Sequence, residues 1–234
     1  MKQSFFFRGP IFIGYDENEI VAFHALCHSI IKNATKPVRI SPIYKKHLND
    51  IHKRPLEDKQ SNAFSFTRFL TPYLNNFEGH AIYMDCDMMI RADIFEIFLD
   101  LNKNSAVSVV KHDYIPKTTK KYLNNNQYNY SRKNWSSLIV WNCAHTKNRR
   151  LTPKFIDEAT GLFLHSFNWL QAKEIGELDI KWNWLVGEYK DPPIDTKNIH
   201  WTLGGPYFSE FIDSDFAEEW ISVKKEMISC KSDK

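Results

Sequence analysis

Two acidic residues separated by one position carry the clearest chemistry in the sequence. Asp85 and Asp87 follow His80–Met84, a run whose hydrophobicity predicts a short buried strand. Strand side chains alternate between faces, so the two Asp are expected to point one way and Cys86 the other. Carboxylates held this close repel each other until a proton or a cation intervenes. Oxygen ligands suit a hard divalent ion such as Mg²⁺ or Mn²⁺, which keeps positions open for phosphate oxygens.

The position of the pair has two interpretations. Asp is common where strands end, so Asp85 and Asp87 could simply form a solvated turn. Ligands of open α/β sheets, however, bind outside the carboxyl ends of the strands, which is where the pair is predicted to lie. This placement favours a binding site, although the residues alone leave both interpretations open.

Composition limits the class of protein. The chain has 234 residues, 43% hydrophobic and 15% aromatic, enough for a sizeable core. A net charge of +3 without a basic run argues against a nucleic-acid partner. No stretch approaches the roughly 18 apolar residues of a membrane span, and residues 1–7 are too short for a signal peptide's apolar region. Four cysteines without a Cys-x-x-Cys pair fit free thiols in a reducing compartment. We therefore expect a cytoplasmic protein, for which peripheral membrane contact stays open.

The order of predicted elements favours an α/β fold. Residues 11–16 are predicted to form a buried strand, and Asp16 to cap a helix over residues 17–32. Pro37 ends that helix, and a second strand begins at residues 38–40. A β-α-β opening of this kind favours a parallel sheet.

Further elements follow without an internal repeat or a linker. Strands are predicted at 106–110 and 137–141, helices at 63–70, 152–164 and 216–228, and loops at 45–61 and 114–134. A loop as long as the second one is usually functional or disordered. We expect a single domain over residues 1–234, with a core of about 11–208 and a C-terminal helix of about 216–228.

Five blocks, taken together and in order, carry a resemblance to a known family. The blocks are Ile13-Gly14-Tyr15-Asp16, Phe66-Thr67-Arg68-Phe69-Leu70-Thr71-Pro72, Tyr83-Met84-Asp85-Cys86-Asp87, Trp141-Asn142-Cys143 and His200-Trp201-Thr202-Leu203-Gly204-Gly205-Pro206-Tyr207. On these blocks the chain resembles the nucleotide-sugar-dependent glycosyltransferases of the GT-A fold. It looks closest to the family-eight type and its uncharacterised bacterial and viral relatives. The resemblance implies a Rossmann-like α/β domain whose mixed central sheet is flanked by helices.

The resemblance also implies a metal site. In such enzymes a divalent ion, Mn²⁺ or Mg²⁺, holds the diphosphate of the donor and stabilises the charge that forms on it. Asp85 and Asp87 match the paired ligands, and His200 matches the third. The alternative for His200 is an ordinary hydrogen-bonded histidine.

Further residues are implied to contact the nucleotide-sugar donor, for which a UDP-sugar is favoured. Tyr15 is expected to stack on the base, Asp16 to accept hydrogen bonds from it, and Arg68 to contact the nucleotide or sugar. The other candidate donor-binding residues are Asp85, Cys86, Lys133, Asn134, Ser137, Asn142, Gly204 and Gly205. For Cys86 the alternative is a small packing residue, and for the two glycines a tight turn.

One part of the family pattern is missing. Family-eight enzymes usually follow the histidine with two residues, Gly, two more residues and Lys-Pro-Trp, and the lysine neutralises the leaving phosphate. Here Gly204 falls four places after His200, and Gly205 precedes Pro206. The candidates to replace the missing lysine are Lys197, Lys133 and Arg132.

The stereochemistry and the acceptor stay open. An inverting enzyme needs a carboxylate to take the acceptor's proton, and Glu177 and Asp113 are the candidate catalytic bases. A retaining enzyme can leave that work to the departing phosphate. By analogy, the acceptor is expected to be a glycan or glycolipid of the cell surface.

Two other functions are weighed against sugar transfer. A nucleotidyltransferase also uses paired Asp and Mg²⁺, but it usually carries a glycine-rich basic loop that Gly14-Tyr15-Asp16 does not provide. A non-catalytic carbohydrate-binding protein would use aromatic platforms and would need neither Asp85 nor Asp87. The candidate platforms are Trp169, Trp182, Trp184 and Trp201, which core packing also explains.

Overall fold

A computed structural model describes residues 9–55, 62–99, 101–124 and 131–229. The strands are β1 (Ile11–Tyr15), β2 (Ile40–Tyr44), β3 (His80–Met84), β4 (Met88–Ile90), β5 (Val107–Val110), β6 (Leu138–Asn142), β7 (Ile175–Leu178), β8 (Trp184–Leu185) and β9 (Asn198–His200). The helices are α1 (Ile20–Asn33), α2 (Thr71–Leu74), α3 (Pro153–Glu158), α4 (Gly161–His165) and α5 (Ala217–Ile228). Short 3₁₀ turns connect many of them.

The main sheet has six strands in the order β2-β1-β3-β6-β5-β7. Strand β1 is parallel to β2 and β3, and β5 is parallel to β7, whereas β6 is antiparallel to both of its neighbours. The C-terminal ends of β1, β2, β3, β5 and β7 therefore meet at one edge, together with the start of β6. We call this the carboxyl edge. The expectation of a mixed central sheet flanked by helices is confirmed.

The predicted β-α-β opening is confirmed. The Asp16 carboxylate accepts a hydrogen bond from the Asn18 N–H at 2.9 Å and caps a 3₁₀ turn that leads into α1. The second strand starts at Ile40, later than the predicted residue 38, and pairs there with Ile11.

A second sheet brings distant parts of the chain together. Its order is β4-β9-β8, and β4 pairs with β9 in an antiparallel register that sets Met88 opposite His200. The Trp201 N–H also donates to the Asp87 carbonyl at 2.9 Å. This pairing carries His200 to the turn between β3 and β4.

Two predicted helices differ from the structure. The helix expected over 152–164 is divided into α3 and α4, because Thr152 and Thr160 each cap a separate helix with the hydroxyl. The helix expected over 63–70 is a series of turns that runs into the short α2, with Pro72 in its first turn. The C-terminal helix is confirmed as α5. Parts of both predicted loops, 56–61 and 125–130, lie outside the described residues.

Two hydrophobic clusters hold these elements together. The larger surrounds the six-stranded sheet, and the smaller joins α1 and α5 to the second sheet through Trp184, Trp201 and Trp220. The four tryptophans considered as sugar platforms are each less than a tenth exposed, so their role is core packing. Within the described ranges, no helix combines the length and the hydrophobicity that a bilayer crossing requires.

Candidate functional site

The turn between β3 and β4 places two carboxylates inside the protein. Asp85 and Asp87 are 6% and 7% exposed, and their ligand atoms and one ring nitrogen of His200 lie within 4.8 Å of one another. Two atoms about 2.1 Å from one ion are at most about 4.2 Å apart, so small side-chain rotations bring this set onto a common ion. The solvated-turn interpretation is therefore wrong.

Asp85 is held on one side by a buried cation. The Arg68 guanidinium lies 3.0 Å from Asp85 Oδ1 and also donates to the Ser136 carbonyl at 2.9 Å. The Tyr83 hydroxyl donates to the same carboxylate at 2.8 Å. Burial raises the pKa of Asp85, and the charge of Arg68 opposes that rise. Arg68 thus orients Asp85 and offsets one of the two negative charges.

A chain of hydrogen bonds sets the tautomer of His200. The Ser137 hydroxyl donates to the Asn134 carbonyl at 2.8 Å, so the Ser137 oxygen accepts from the Asn183 amide, also at 2.8 Å. The Asn183 oxygen then faces His200 Nδ1 at 2.9 Å, which must carry the proton in that contact. In neutral His200 the lone pair is therefore on Nε2.

The lone pair on Nε2 faces an oxygen without a partner. His200 Nε2 lies 3.3 Å from Asp87 Oδ1, and this oxygen is buried without a hydrogen bond. Two acceptors in contact require a cation or a proton between them. Metal-bound histidines usually donate their other ring N–H to an acceptor, as His200 does to Asn183. The cluster of Asp85, Asp87 and His200 fits a divalent metal ion.

Two predicted donor-binding residues are linked to this cluster by hydrogen bonds, and a third precedes them in the chain. Ser137 and Asn134 belong to the hydrogen-bond chain, and the Asn134 amide donates to the Tyr114 hydroxyl at 2.7 Å and to Thr202 Oγ1 at 3.1 Å. Lys133 is buried, and burial, followed by the charge of Lys121, lowers its pKa to about 7. The segment before β6 is thus linked to His200 through Asn183.

The residues predicted to hold the base have structural partners. Tyr15 packs edge-on against Tyr44 and Phe23, with ring centroids 5.0 and 5.2 Å away. Asp16 accepts hydrogen bonds from Asn18 and, at 2.8 Å, from the Ala63 N–H. Tyr15 ends β1 and Asp16 follows it, both at the carboxyl edge, and their contact with a base stays a prediction.

Two predicted site residues are not brought to the cluster. Asn142 pairs with His80 at the opposite edge, because β6 runs antiparallel to β3 and ends where β3 begins. Glu177 is exposed on β7, three strand spacings from β3, or about 14 Å at about 4.8 Å per spacing. Its carboxylate lies 3.7 Å from the Lys111 ammonium. The other candidate base, Asp113, is exposed and follows β5 at the carboxyl edge.

Packing accounts for the other small residues of the pattern. Gly204 has a φ of 135°, and a Cβ there would lie 2.5 Å from the Phe211 ring, whereas at Gly205 it would lie 2.4 Å from the Tyr207 ring. Cys86 is buried with a free thiol, and burial raises its pKa well above the ordinary value. Cys86 is therefore a packing residue. Phosphate binding by the glycines stays a prediction.

Two candidates for the missing lysine have other partners. Lys197 forms an ion pair with Glu96 at 2.6 Å, and Arg132 donates to the Ser166 carbonyl while lying over the Trp135 ring. The third candidate, Lys133, is buried and interacts with Lys121.

Sequence reasoning missed several groups around the cluster. Glu19 is fully buried and accepts hydrogen bonds from the hydroxyls of Tyr122 and Tyr207, both at 2.8 Å. Burial, followed by the charge of Asp87, raises the pKa of Glu19 to about 8. Asn183 and Lys121 were also missed. All of them lie in turns or loops, where no periodicity marks a buried side chain.

Comparisons with known proteins agree with this architecture. No family model matches the chain. The bifunctional glycosyltransferase WbbM superposes with a TM-score of 0.63 at 17% identity. The superposition covers 96% of this chain and 50% of WbbM. The galactosyltransferase LgtC, solved with donor and acceptor sugar analogues, superposes with a TM-score of 0.60 at 9% identity over 95% of this chain and 98% of LgtC. These likenesses confirm the GT-A fold.

One relative is similar in sequence as well. Protein CDI of Arabidopsis thaliana is 41% identical over 222 residues, which cover 92% of this chain and 86% of that protein. The chain has the GT-A fold of the glycosyltransferases and belongs to the same family as Protein CDI.

Proposed function

We propose that the chain is a metal-dependent glycosyltransferase that moves a sugar from a nucleotide-sugar to an acceptor hydroxyl. The observation that carries this proposal is the buried cluster of Asp85, Asp87 and His200 at the carboxyl edge of a GT-A sheet. Ligands of such sheets bind at that edge. A buried carboxylate oxygen without a partner is costly unless a ligand completes it.

The chain's own residues prepare the site for this reaction. Arg68 orients Asp85, and Asn183 holds His200 with Nε2 free to act as a ligand. A bound divalent ion, Mn²⁺ or Mg²⁺, supplies positive charge against the diphosphate as it leaves. The acceptor oxygen forms a bond to the anomeric carbon while the bond between that carbon and the diphosphate oxygen breaks. The electron pair of the broken bond stays on the diphosphate, and the proton of the acceptor hydroxyl passes to a base or to the departing phosphate.

Asp113 is supported over Glu177 as the base of an inverting reaction, because it follows β5 at the carboxyl edge whereas Glu177 lies on the outer strand. A retaining reaction needs neither. NMR analysis of the product anomer decides between the two courses. An inverted product from an Asp113→Asn variant at full rate would exclude Asp113.

The finer assignments are also proposals. A UDP-sugar donor rests on Tyr15 and Asp16 at the end of β1, and the glycan or glycolipid acceptor rests on analogy with GT-A enzymes, among which LgtC was solved with sugar analogues. Family-eight membership rests on the order of the sequence blocks, and a single domain over residues 1–234 rests on a sequence without an internal repeat or a linker. A cytoplasmic location is consistent with the free thiols of Cys27, Cys86 and Cys143.

A donor screen tests the proposal. The purified chain is incubated with Mn²⁺ and a panel of nucleotide-sugars, and release of nucleoside diphosphate is measured with and without glycan acceptors. We expect turnover with one donor class, abolished by EDTA and by Asp87→Asn. If no donor is turned over or bound, and free oligosaccharide alone raises the melting temperature, the carbohydrate-binding alternative replaces this function.

A further inference from the structure

A lysine that the family pattern does not include lies beside the acidic cluster. Lys121 Nζ donates to Thr202 Oγ1 at 3.1 Å, and Thr202 follows Trp201, whose N–H is bonded to the Asp87 carbonyl. Burial lowers the pKa of Lys121, and the charges of Asp87, Asp85 and Glu19 oppose that change. The ammonium is therefore within electrostatic reach of both carboxylates.

The segment that carries Lys121 is anchored at the next residue. The Tyr122 N–H donates to the Leu203 carbonyl at 2.8 Å, and its hydroxyl donates to the buried Glu19. Its ring stacks on Phe208 with centroids 4.9 Å apart. These contacts hold Lys121 against the segment that follows β9, where the family pattern would have supplied its own lysine.

Thr202 and Lys133 are two polar residues that interact with Lys121. Thr202 is 2% exposed, and its hydroxyl oxygen accepts from both Lys121 and Asn134, which uses both of its lone pairs. Lys133 is buried nearby, and the charge of Lys121 disfavours its protonated form. An anion bound between the two lysines would favour the protonated form of each.

We propose that Lys121 binds the diphosphate of the donor, so that the segment after β5 carries the phosphate-binding lysine that Gly204-Gly205-Pro206 lacks. This inference rests on the proposed function. It also implies that the metal and the diphosphate bind cooperatively. A divalent ion at Asp85 and Asp87 would repel the Lys121 ammonium, and a diphosphate between them would remove that repulsion.

Calorimetry on the whole chain tests this inference through two affinities that should change in opposite directions. In Lys121→Gln, we expect UDP, titrated with Mn²⁺ present, to bind ~10- to 100-fold more weakly because a charge-assisted contact is lost. Mn²⁺ alone should bind about 3-fold more tightly or better, because a repulsive charge is removed. A merely structural lysine would weaken both affinities together.

Matched variants complete the experiment. Lys120→Gln removes the charge of the neighbouring exposed lysine and should change each affinity by less than about 2-fold. Lys121→Arg keeps the charge and should bind Mn²⁺ alone as the parent does. Unchanged UDP affinity in Lys121→Gln, or a parallel loss of both affinities, overturns the proposed role of Lys121 but leaves the proposed function standing. If the unmodified chain binds no nucleoside diphosphate with Mn²⁺, both the role of Lys121 and the proposed function are wrong.

Discussion

The two edges of the six-stranded sheet bury different kinds of polar side chain, charged at one edge and neutral at the other. Within the described part of the chain, every buried Asp, Glu, Lys or Arg lies at the carboxyl edge or contacts a segment there. These residues are Asp16, Glu19, Arg68, Asp85, Asp87, Lys133 and Glu188. The opposite edge buries a neutral amide, Asn148, which donates to the carbonyls of Ala106 and Asn142 and accepts from Trp169 Nε1.

The difference separates a structural polar group from a functional one. Asn148 has its hydrogen bonds made within the protein, so it stabilises the fold without a ligand. Asp87 Oδ1 is buried without a hydrogen bond and faces His200 Nε2, so its charge needs a positive charge beside it, from His200 or from a bound cation. The carboxyl edge thus leaves a polar group that a ligand can complete.

The largest expected effect comes from removing the charge at the carboxyl edge. Asp87→Asn should lower kcat by about 10³-fold or more, because the site loses a ligand whose charge it needs in the transition state. The same change should reduce or abolish the gain in stability that Mn²⁺ gives the parent, because the ion loses a charged ligand. Steady-state kinetics and urea unfolding with and without Mn²⁺ check the two effects, and an unchanged Mn²⁺-dependent gain in the variant would contradict the comparison.

Placing a charge at the opposite edge should destabilise the protein without creating a metal site. Asn148→Asp sets a carboxylate against the carbonyls of Ala106 and Asn142, and we expect about 3 kcal/mol or more of destabilisation. Mn²⁺ should not restore the loss, since among the described residues the metal-ligand cluster lies at the carboxyl edge and not beside Asn148. Urea unfolding with and without Mn²⁺ measures this, with Asn148→Ala as the control for the lost hydrogen bonds.

The orientation of His200 gives a smaller effect. Asn183→Leu removes the acceptor for Nδ1, and we expect Mn²⁺ affinity to fall ~10- to 100-fold. Asn183→Asp keeps an acceptor and should bind the ion far better than the leucine variant. Calorimetric titration of Mn²⁺ compares the two, and equal losses would show that Asn183 does not act through His200.

Glu19 controls part of the pH dependence of stability. Its folded pKa of about 8 lies above the ordinary value of 4.5, so between these values the folded state holds a proton that the unfolded state releases. This contribution is fully present below pH 4.5 and is lost as the pH rises through 8, by at most about 1.4 kcal/mol per pH unit. Glu19→Gln should flatten that slope in metal-free urea unfolding between pH 5 and 9. An unchanged slope would show that groups other than Glu19 cause the pH dependence of stability.

The sequence predicts the parts of the site that local rules control. The strand before Asp85, the cap at Asp16 and the β-α-β opening follow from hydrophobic runs and capping chemistry, which neighbouring residues decide. Arg68 and His200 were found through the order of the family blocks. Asn142, which the family blocks suggested for the donor site, lies at the opposite edge, because the direction of β6 depends on pairing across the sheet.

The remaining site residues depend on contacts between distant segments. Lys121 and Tyr122 lie in a long loop, and their positions follow from contacts with Thr202, Leu203 and Glu19. Glu19 itself lies in a first helical turn, where acidic residues are common and usually exposed. Only the tertiary structure distinguishes it from a surface residue.

The most direct test of the central claim is to locate the ion. Crystals grown with Mn²⁺ and UDP, measured near the manganese absorption edge, would show an anomalous difference peak wherever the ion binds. We predict a peak within bonding distance of Asp85, Asp87 and His200 Nε2, with UDP phosphate oxygens completing its coordination. A cluster without a peak, in which His200 Nε2 is still directed at Asp87, would contradict the account.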